Sequence, residues 1–143
     1  MNVKLNDADY TSGVAAFEAK NFSQAMQLLY PLAEAGDADA QHRVAIMCQN
    51  GLGVVRNDAR AFEMMKASAE QGYAIAQHGL GFMYLEGECV EKDSADAAKW
   101  FRKAGDQGLA GSLTTLAMMY EEGNGVEKDP EEARRLYAEA GFD

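Results

Sequence analysis

Two histidines, His42 and His78, and two cysteines, Cys48 and Cys89, are the imidazole and thiol donors of this 143-residue chain. Two imidazoles could begin a zinc site, whose ligating nitrogens come within about 2.0–2.1 Å of one ion. No cysteine or carboxylate stands at an obvious ligand spacing beside either ring. The pair therefore reads as two solvent-facing or hydrogen-bonding side chains, and no metal or cofactor is expected. The cysteines are too few for a disulfide framework and read as free thiols. Serine chemistry of one common kind needs a lysine one helical turn after the nucleophile, so that the base lies beside the hydroxyl. Three places after Ser12, Ser23, Ser68, Ser94 and Ser112 stand Ala15, Met26, Gln71, Ala97 and Thr115. No Ser-x-x-Lys exists, and an enzyme is not expected.

The histidines are 36 residues apart (78 − 42), and that spacing is general. The stretch GFMYLEGECVEKD, Gly81 to Asp93, returns as AMMYEEGNGVEKD, Ala117 to Asp129, and in blurred form as AIMCQNGLGVVRND, Ala45 to Asp58. Ala38, Ala74 and Ala110 open the copies at the same interval (74 − 38 and 110 − 74). A period between about 20 and 50 residues marks stacked repeats, each burying its apolar face on the next. The two imidazoles then sit on neighbouring copies. Packed helices lie about 8–10 Å apart, too far for both rings to reach one ion undistorted.

Each column of the repeat has a physical task. Gly51, Gly87 and Gly123 fall where a first helix ends in a left-handed turn. Asn57, Asp93 and Asp129 precede the second helix as N-caps. Asp96 and Glu132, three residues after the last two caps, complete capping-box-like pairs, with Pro130 at the first helical position. Gly36, Gly72 and Gly108 close second helices. Small residues recur where helices cross closely, at Ala45, Gly81 and Ala117 and at Ala61, Ala97 and Ala133. Large apolar columns fill the core: Val44, Leu80, Leu116; Met47, Met83, Met119; Met64, Trp100, Leu136. The methionine column could form a soft metal site or an adaptable binding face, but its fixed place in every copy reads as core. Upstream, Tyr10 to Ala35 reads as a further helical pair without the glycine loop, with a tight turn at KNFSQA. Pro31 is expected to kink or break its second helix near Tyr30.

The balance of 13 basic against 23 acidic residues gives a net charge of −10. That surface repels phosphate backbones and anionic membranes, so neither nucleic acid nor membrane insertion is expected. No run approaches the ~20 apolar residues of a membrane span. The N-terminus MNVKLNDADYTSG lacks an apolar core of signal-peptide length. A cytoplasmic location is expected, or a periplasmic one where a leader has been removed.

The three full copies resemble the Sel-one-like repeat (SLR) family, relatives of the tetratricopeptide repeats. The second matches best, at Ala74, Gln77, Leu80, Gly81, Met83, Tyr84, Gly87, Val90, Asp93, Ala97, Trp100, Phe101, Ala104, Gln107 and Gly108. The third keeps Tyr120, Gly123, Gly125, Val126, Asp129, Ala133 and Tyr137. The first departs at Cys48, where tyrosine is expected, and at Met64, where tryptophan is; the second departs at Cys89, where a loop glycine is. Residues 8–37, marked by Gly13, Ala16, Phe22 and Ala25, look like a tetratricopeptide unit. The resemblance implies one all-α domain over residues 1–143, a right-handed α-solenoid (superhelix) of about four helical pairs with repeats at 38–73, 74–109 and 110–143.

It also implies adaptor work, holding a protein or peptide partner, often in bacterial signalling or eukaryotic quality control. Some cysteine-rich relatives resemble penicillin-binding or β-lactam-hydrolysing proteins. A hydrolase of that type is the alternative from another class, but its paired cysteines are absent here, as is Ser-x-x-Lys. A third reading is a self-assembling solenoid with no foreign partner.

On the first helices, positions roughly 100° from the core columns face the inner wall of the expected curve. Those columns are His42, His78, Thr114; Ile46, Phe82, Met118; and Gln49, Leu85, Glu121. The middle one is apolar in every copy, and Tyr10, Val14 and Phe17 extend it into the leading unit. A contiguous apolar stripe of this kind suits a peptide or a helix. At the C-terminal end Leu136, Tyr137 and Phe142 have no successor copy to lie against. Self-association through that end is a further expectation.

Overall fold

The computed structural model describes residues 7–142. Met1–Asn6, part of the stretch read for a leader, and Asp143, the last residue of the third copy, lie outside them. The described residues form eight α-helices and no strand: α1 (Asp7–Glu18), α2 (Phe22–Glu34), α3 (Ala38–Asn50), α4 (Asp58–Glu70), α5 (Ala74–Glu86), α6 (Ser94–Asp106), α7 (Ala110–Glu122) and α8 (Pro130–Glu139). They make four helical pairs, as expected. The chain divides into two compact units, Met1–Gln71 with α1–α4 and Gly72–Asp143 with α5–α8. No helix among the described residues is long and apolar enough to cross a membrane.

The column glycines do what their spacing predicts. Gly51, Gly87 and Gly123 have φ of 65°, 71° and 67°, and their amides donate to the carbonyls of Met47, Met83 and Met119. Six residues on, Asn57, Asp93 and Asp129 cap α4, α6 and α8, their side chains accepting from the amides of Arg60, Asp96 and Glu132. The reciprocal half of the expected capping box is missing for a clear reason. The cap's own amide donates 2.9 Å to Cys48, Tyr84 or Tyr120 on the first helix of the same copy. It has no proton left for Asp96 or Glu132, and Glu132 pairs with Arg135 and Arg102 instead.

The loop between the two helices meets other backbone closely. A Cβ on Gly53 would lie 2.4 Å from the carbonyl carbon of Phe22, and one on Gly125 would lie 2.3 Å from the Ser94 carbonyl oxygen. Within each unit the loop thus docks on the start of the preceding pair's second helix at a distance that excludes a side chain. Cys89 holds the third place in this column and adopts the same conformation, φ 66°, as a non-glycine residue.

Three expectations are corrected. Pro31 does not end its helix: α2 runs unbroken to Glu34, and the Pro31 carbonyl accepts from Ala35. Both Pro31 and Gln27 are exposed, so water can serve the one carbonyl that loses its amide partner. Trp100 is not the core aromatic of the second unit. It is half-buried beneath the Lys103 ammonium, while its neighbour Phe101 is fully buried. The small column explains the exchange, because a Cβ on Gly81 would stand 2.8–2.9 Å from three atoms of the Phe101 ring. The ring fills the space glycine leaves. Finally, Leu136 needs no cover from another copy, being 2% exposed against Phe101, Leu113 and Leu116, whereas Phe142 is 60% exposed.

Copy one solves the same crossing with Ala45 and Met65, the counterparts of Gly81 and Phe101 (81 − 36 and 101 − 36). Gly81→Ala should therefore destabilise the protein by about 1–3 kcal/mol through overpacking, although alanine is favoured in a helix by about 1 kcal/mol. Combined with Phe101→Met it should become nearly neutral relative to Phe101→Met alone, a coupling of about 1 kcal/mol or more. Urea unfolding of the four proteins measures the cycle; additive effects would show that ring and glycine do not compete for one space.

Candidate functional site

The twelve residues expected on the first-helix stripe divide between the units. None is fully buried. Met118 and Glu121 are exposed, and the other ten are half-buried. The stripe is therefore neither absorbed into the core nor presented as free apolar surface.

In the first unit, Tyr10, Val14 and Phe17 lie on α1, and His42, Ile46 and Gln49 on α3. A polar chain crosses between these helices. The Tyr10 hydroxyl donates 2.8 Å to Asp39, which also accepts 2.9 Å from Arg43. The Arg43 guanidinium in turn lies 4.9 Å from the centre of the Phe17 ring, whose edge meets Phe22 at 5.6 Å. Burial and the Asp39 carboxylate push the Tyr10 hydroxyl up to about 12, so it remains a donor at any ordinary pH. Asp39 and Arg43 went unread in the sequence. Their spacing of four on one helix face is the signal that could have found them.

In the second unit, His78, Phe82 and Leu85 lie on α5, and Thr114, Met118 and Glu121 on α7. His78, Phe82 and Phe101 form an edge-to-face triad with ring centres 5.0 to 5.6 Å apart. Phe82 and Leu85 pack on the core from outside. The expectation that Phe82 stands clear of the core is thus corrected: part of its ring serves stability. Nδ1 of His78 shares a 2.6 Å hydrogen bond with the buried Ser112 hydroxyl. Thr114 donates back to Gly111 at 3.0 Å, and Glu121 accepts 2.9 Å from the Tyr137 hydroxyl. Met118, 49% exposed, is the apolar side chain of the stripe most open to a partner.

A second feature escaped the sequence reading, a pair of glutamine clasps. Gln71 donates 2.8 Å to both the Gly36 carbonyl and the Gln41 side chain, and Gln41 donates 3.1 Å to Ala33. Gln107 repeats this with Gly72 at 2.8 Å and Gln77 at 3.0 Å. Gln41 and Gln77 are buried, and the clasps give their side-chain amides the partners that buried polar groups require. Two glutamine columns at the repeat period were the visible signal.

Among the described residues no group of His, Cys, Asp or Glu could hold a metal ion. Neither Cys48 nor Cys89 is bridged in a disulfide. Burial raises the Cys48 thiol, leaving little of the thiolate that nucleophilic chemistry requires.

A Sel1 repeat model matches residues 13–37, 38–73, 74–109 and 112–141. The first of these is the segment read above as tetratricopeptide-like. A Sel1 repeat protein from Oxalobacter formigenes is 32% identical with a TM-score of 0.86, the match covering 92% of this chain and 53% of that one. A protective antigen of uropathogenic Escherichia coli strains, described as displaying an SLR fold, is 31% identical with a TM-score of 0.83, over 98% of this chain and 33% of its own. The chain thus spans about half and a third of the lengths of these two proteins. Helicobacter pylori cysteine rich protein B has the same fold at 20% identity, with a TM-score of 0.65 over 84% of this chain and 86% of its own. No curated protein sequence matches the chain.

Burial lowers the proton affinity of both His42 and His78 below the ordinary histidine value. The unfolded chain, with histidines near about 6.5, therefore binds more protons than the folded one at and below that pH. Stability is full above about pH 6.5 and falls as pH drops through it. Replacing both rings, as His42→Gln with His78→Asn, should flatten this part of the profile. Unfolding midpoints between pH 7.5 and 5.5 measure it; parallel profiles for the two proteins would show that the rings titrate alike in both states.

Proposed function

Because the chain belongs to the Sel1 repeat family, we propose that it is a non-catalytic interaction module whose first-helix faces hold a peptide or a helix of a protein partner. Sel1 repeat proteins are typically protein-interaction scaffolds. The observation that carries the reading is the middle column. Ile46, Phe82 and Met118 are apolar in three successive copies, yet none is fully buried and Met118 is half-open to solvent. A column that served packing alone would be drawn into the core like Met47, Met83 and Met119, which are at most 2% exposed. The neighbouring columns supply hydrogen-bonding groups at Gln49, Thr114 and Glu121, the polar rim expected beside an apolar anchor.

The absence of Ser-x-x-Lys and the raised Cys48 thiol favour this reading over a hydrolase. The unbridged cysteines suit a reducing compartment, the cytoplasm. Any contact between copies through the C-terminal end would use Phe142, the exposed aromatic there.

Selection of peptides from a random library should yield binders that depend on this face. Ile46→Thr and Met118→Asp, tested separately because the residues lie in different units, should each weaken the binders of its own unit by about tenfold or more, near 1.4 kcal/mol, and Met118→Asp should change the melting temperature little. Nitrocefin should remain unhydrolysed. Binders indifferent to both substitutions would move the interaction elsewhere, and turnover that survives repurification would make the protein an enzyme.

A further inference from the structure

In the second unit the charges are sorted between first and second helices. The sequences of α5 and α7, AIAQHGLGFMYLE and AGSLTTLAMMYEE, contain no lysine or arginine. The basic side chains of residues 72–143 stand on α6, on α8 and in the loops before them. Burial also keeps the His78 ring from adding a positive charge at neutral pH. The acids of α5 and α7 are Glu86, Glu121 and Glu122, at the last positions of the two helices and all exposed. The ion pairs described in this unit lie on α6 and α8 and leave these three glutamates out. Glu121 only accepts a hydrogen bond from the neutral Tyr137 hydroxyl.

Negative charge at these positions opposes the helix dipole, whose C-terminal end already carries about half a negative elementary charge. The three carboxylates are therefore not placed for the stability of their own helices. They are placed beside the apolar stripe. Residues three and four apart share a helix face, so Glu121 and Glu122 lie one turn beyond Met118, and Leu85 and Glu86 one turn beyond Phe82. The two helices run side by side where His78 bonds Ser112 at 2.6 Å, and a Cβ on Gly111 would lie 3.5 Å from the same ring. In the first unit the column of Glu86 and Glu122 holds the neutral Asn50 (86 − 36 and 122 − 72), whose amide donates 2.9 Å to the Ile46 carbonyl.

We propose that the α5–α7 face of the second unit takes a basic amphipathic segment of a protein partner. Its apolar side chains pack on Met118 beside Phe82, and its lysine or arginine side chains meet Glu86, Glu121 and Glu122. Charge complementarity selects this occupant: exposed carboxylates without ion pairs, at two helix C-termini, attract ammonium and guanidinium groups and repel an acidic segment. Met118, 49% exposed, is the anchor point, as an apolar stripe is for an amphipathic helix. The inference rests on the protein-interaction reading for the class of partner and adds the partner's charge and the unit that holds it.

The probes are three peptides, acetyl-KKLLKKLLKK-amide, acetyl-EELLEELLEE-amide and acetyl-KKSSKKSSKK-amide, titrated calorimetrically into the whole chain at about 0.15 M salt, where exposed charges act over about 8 Å. The first should bind at least about tenfold more tightly than either of the others. Glu86→Gln with Glu122→Gln should weaken it about tenfold, and Met118→Gln should weaken it several-fold. Asp106→Asn with Glu131→Gln removes the same charge from the second helices and should leave its affinity as it was, as should Ile46→Thr in the first unit. Equal losses from the two double variants would reduce the effect to net charge and overturn the site. Equal binding of the serine peptide would overturn the apolar anchor, and no binding of the leucine–lysine peptide up to about 1 mM would overturn the proposal outright. Peptides from the random library that require Met118 but carry no net positive charge would leave the interaction reading standing and overturn this one.

Discussion

In each full copy the amide just before the second helix donates to a carbonyl nine residues back on the first helix (57 − 48, 93 − 84 and 129 − 120). This backbone bond fixes where the second helix starts relative to the last turn of the first. The left-handed glycine turns the chain to reach it, the capping side chain holds the next turn, and the small columns let the two helices close. It also explains why the acidic residue three places after the cap is free for other work: Glu132 joins the Arg102 and Arg135 cluster because no cap amide is left for it.

Most of this was legible because it is backbone geometry. A left-handed residue, a cap and a close crossing each demand a residue type at a fixed place, and repetition writes the demand three times. What the sequence could not resolve was which of two adjacent aromatics turns inward. Trp100 and Phe101 differ by 100° around α6, and the choice depends on the missing side chain at Gly81, on the opposite helix. Pro31 misled for a related reason. Its helix-breaking cost is local, but it falls on an exposed turn where solvent serves the freed carbonyl.

The candidate site was legible only as columns. Spacing placed Ile46, Phe82 and Met118 on one face of successive first helices, yet it carried no information on depth. Phe82 leans on Phe101 and Met118 does not, a difference set by the partners of each helix. Likewise Tyr10 was read as part of an apolar stripe, while its hydroxyl is committed to Asp39 across the α1–α3 crossing. The glutamine clasps passed unnoticed because paired amides resemble ordinary surface residues until their burial is known.

Those clasps have a kinetic consequence. The hydrogen bonds of Gln71 and Gln107 to the preceding turn span 35 residues, and the bond between His78 and Ser112 spans 34. Ordering one helical pair therefore requires only the closure of a loop about one repeat long, whatever the total length of the array. Closure entropy grows only with the logarithm of loop length, and proteins rich in near-neighbour contacts fold quickly. A chain built this way can begin to fold while it is still being synthesised, each pair settling once its own clasp has emerged.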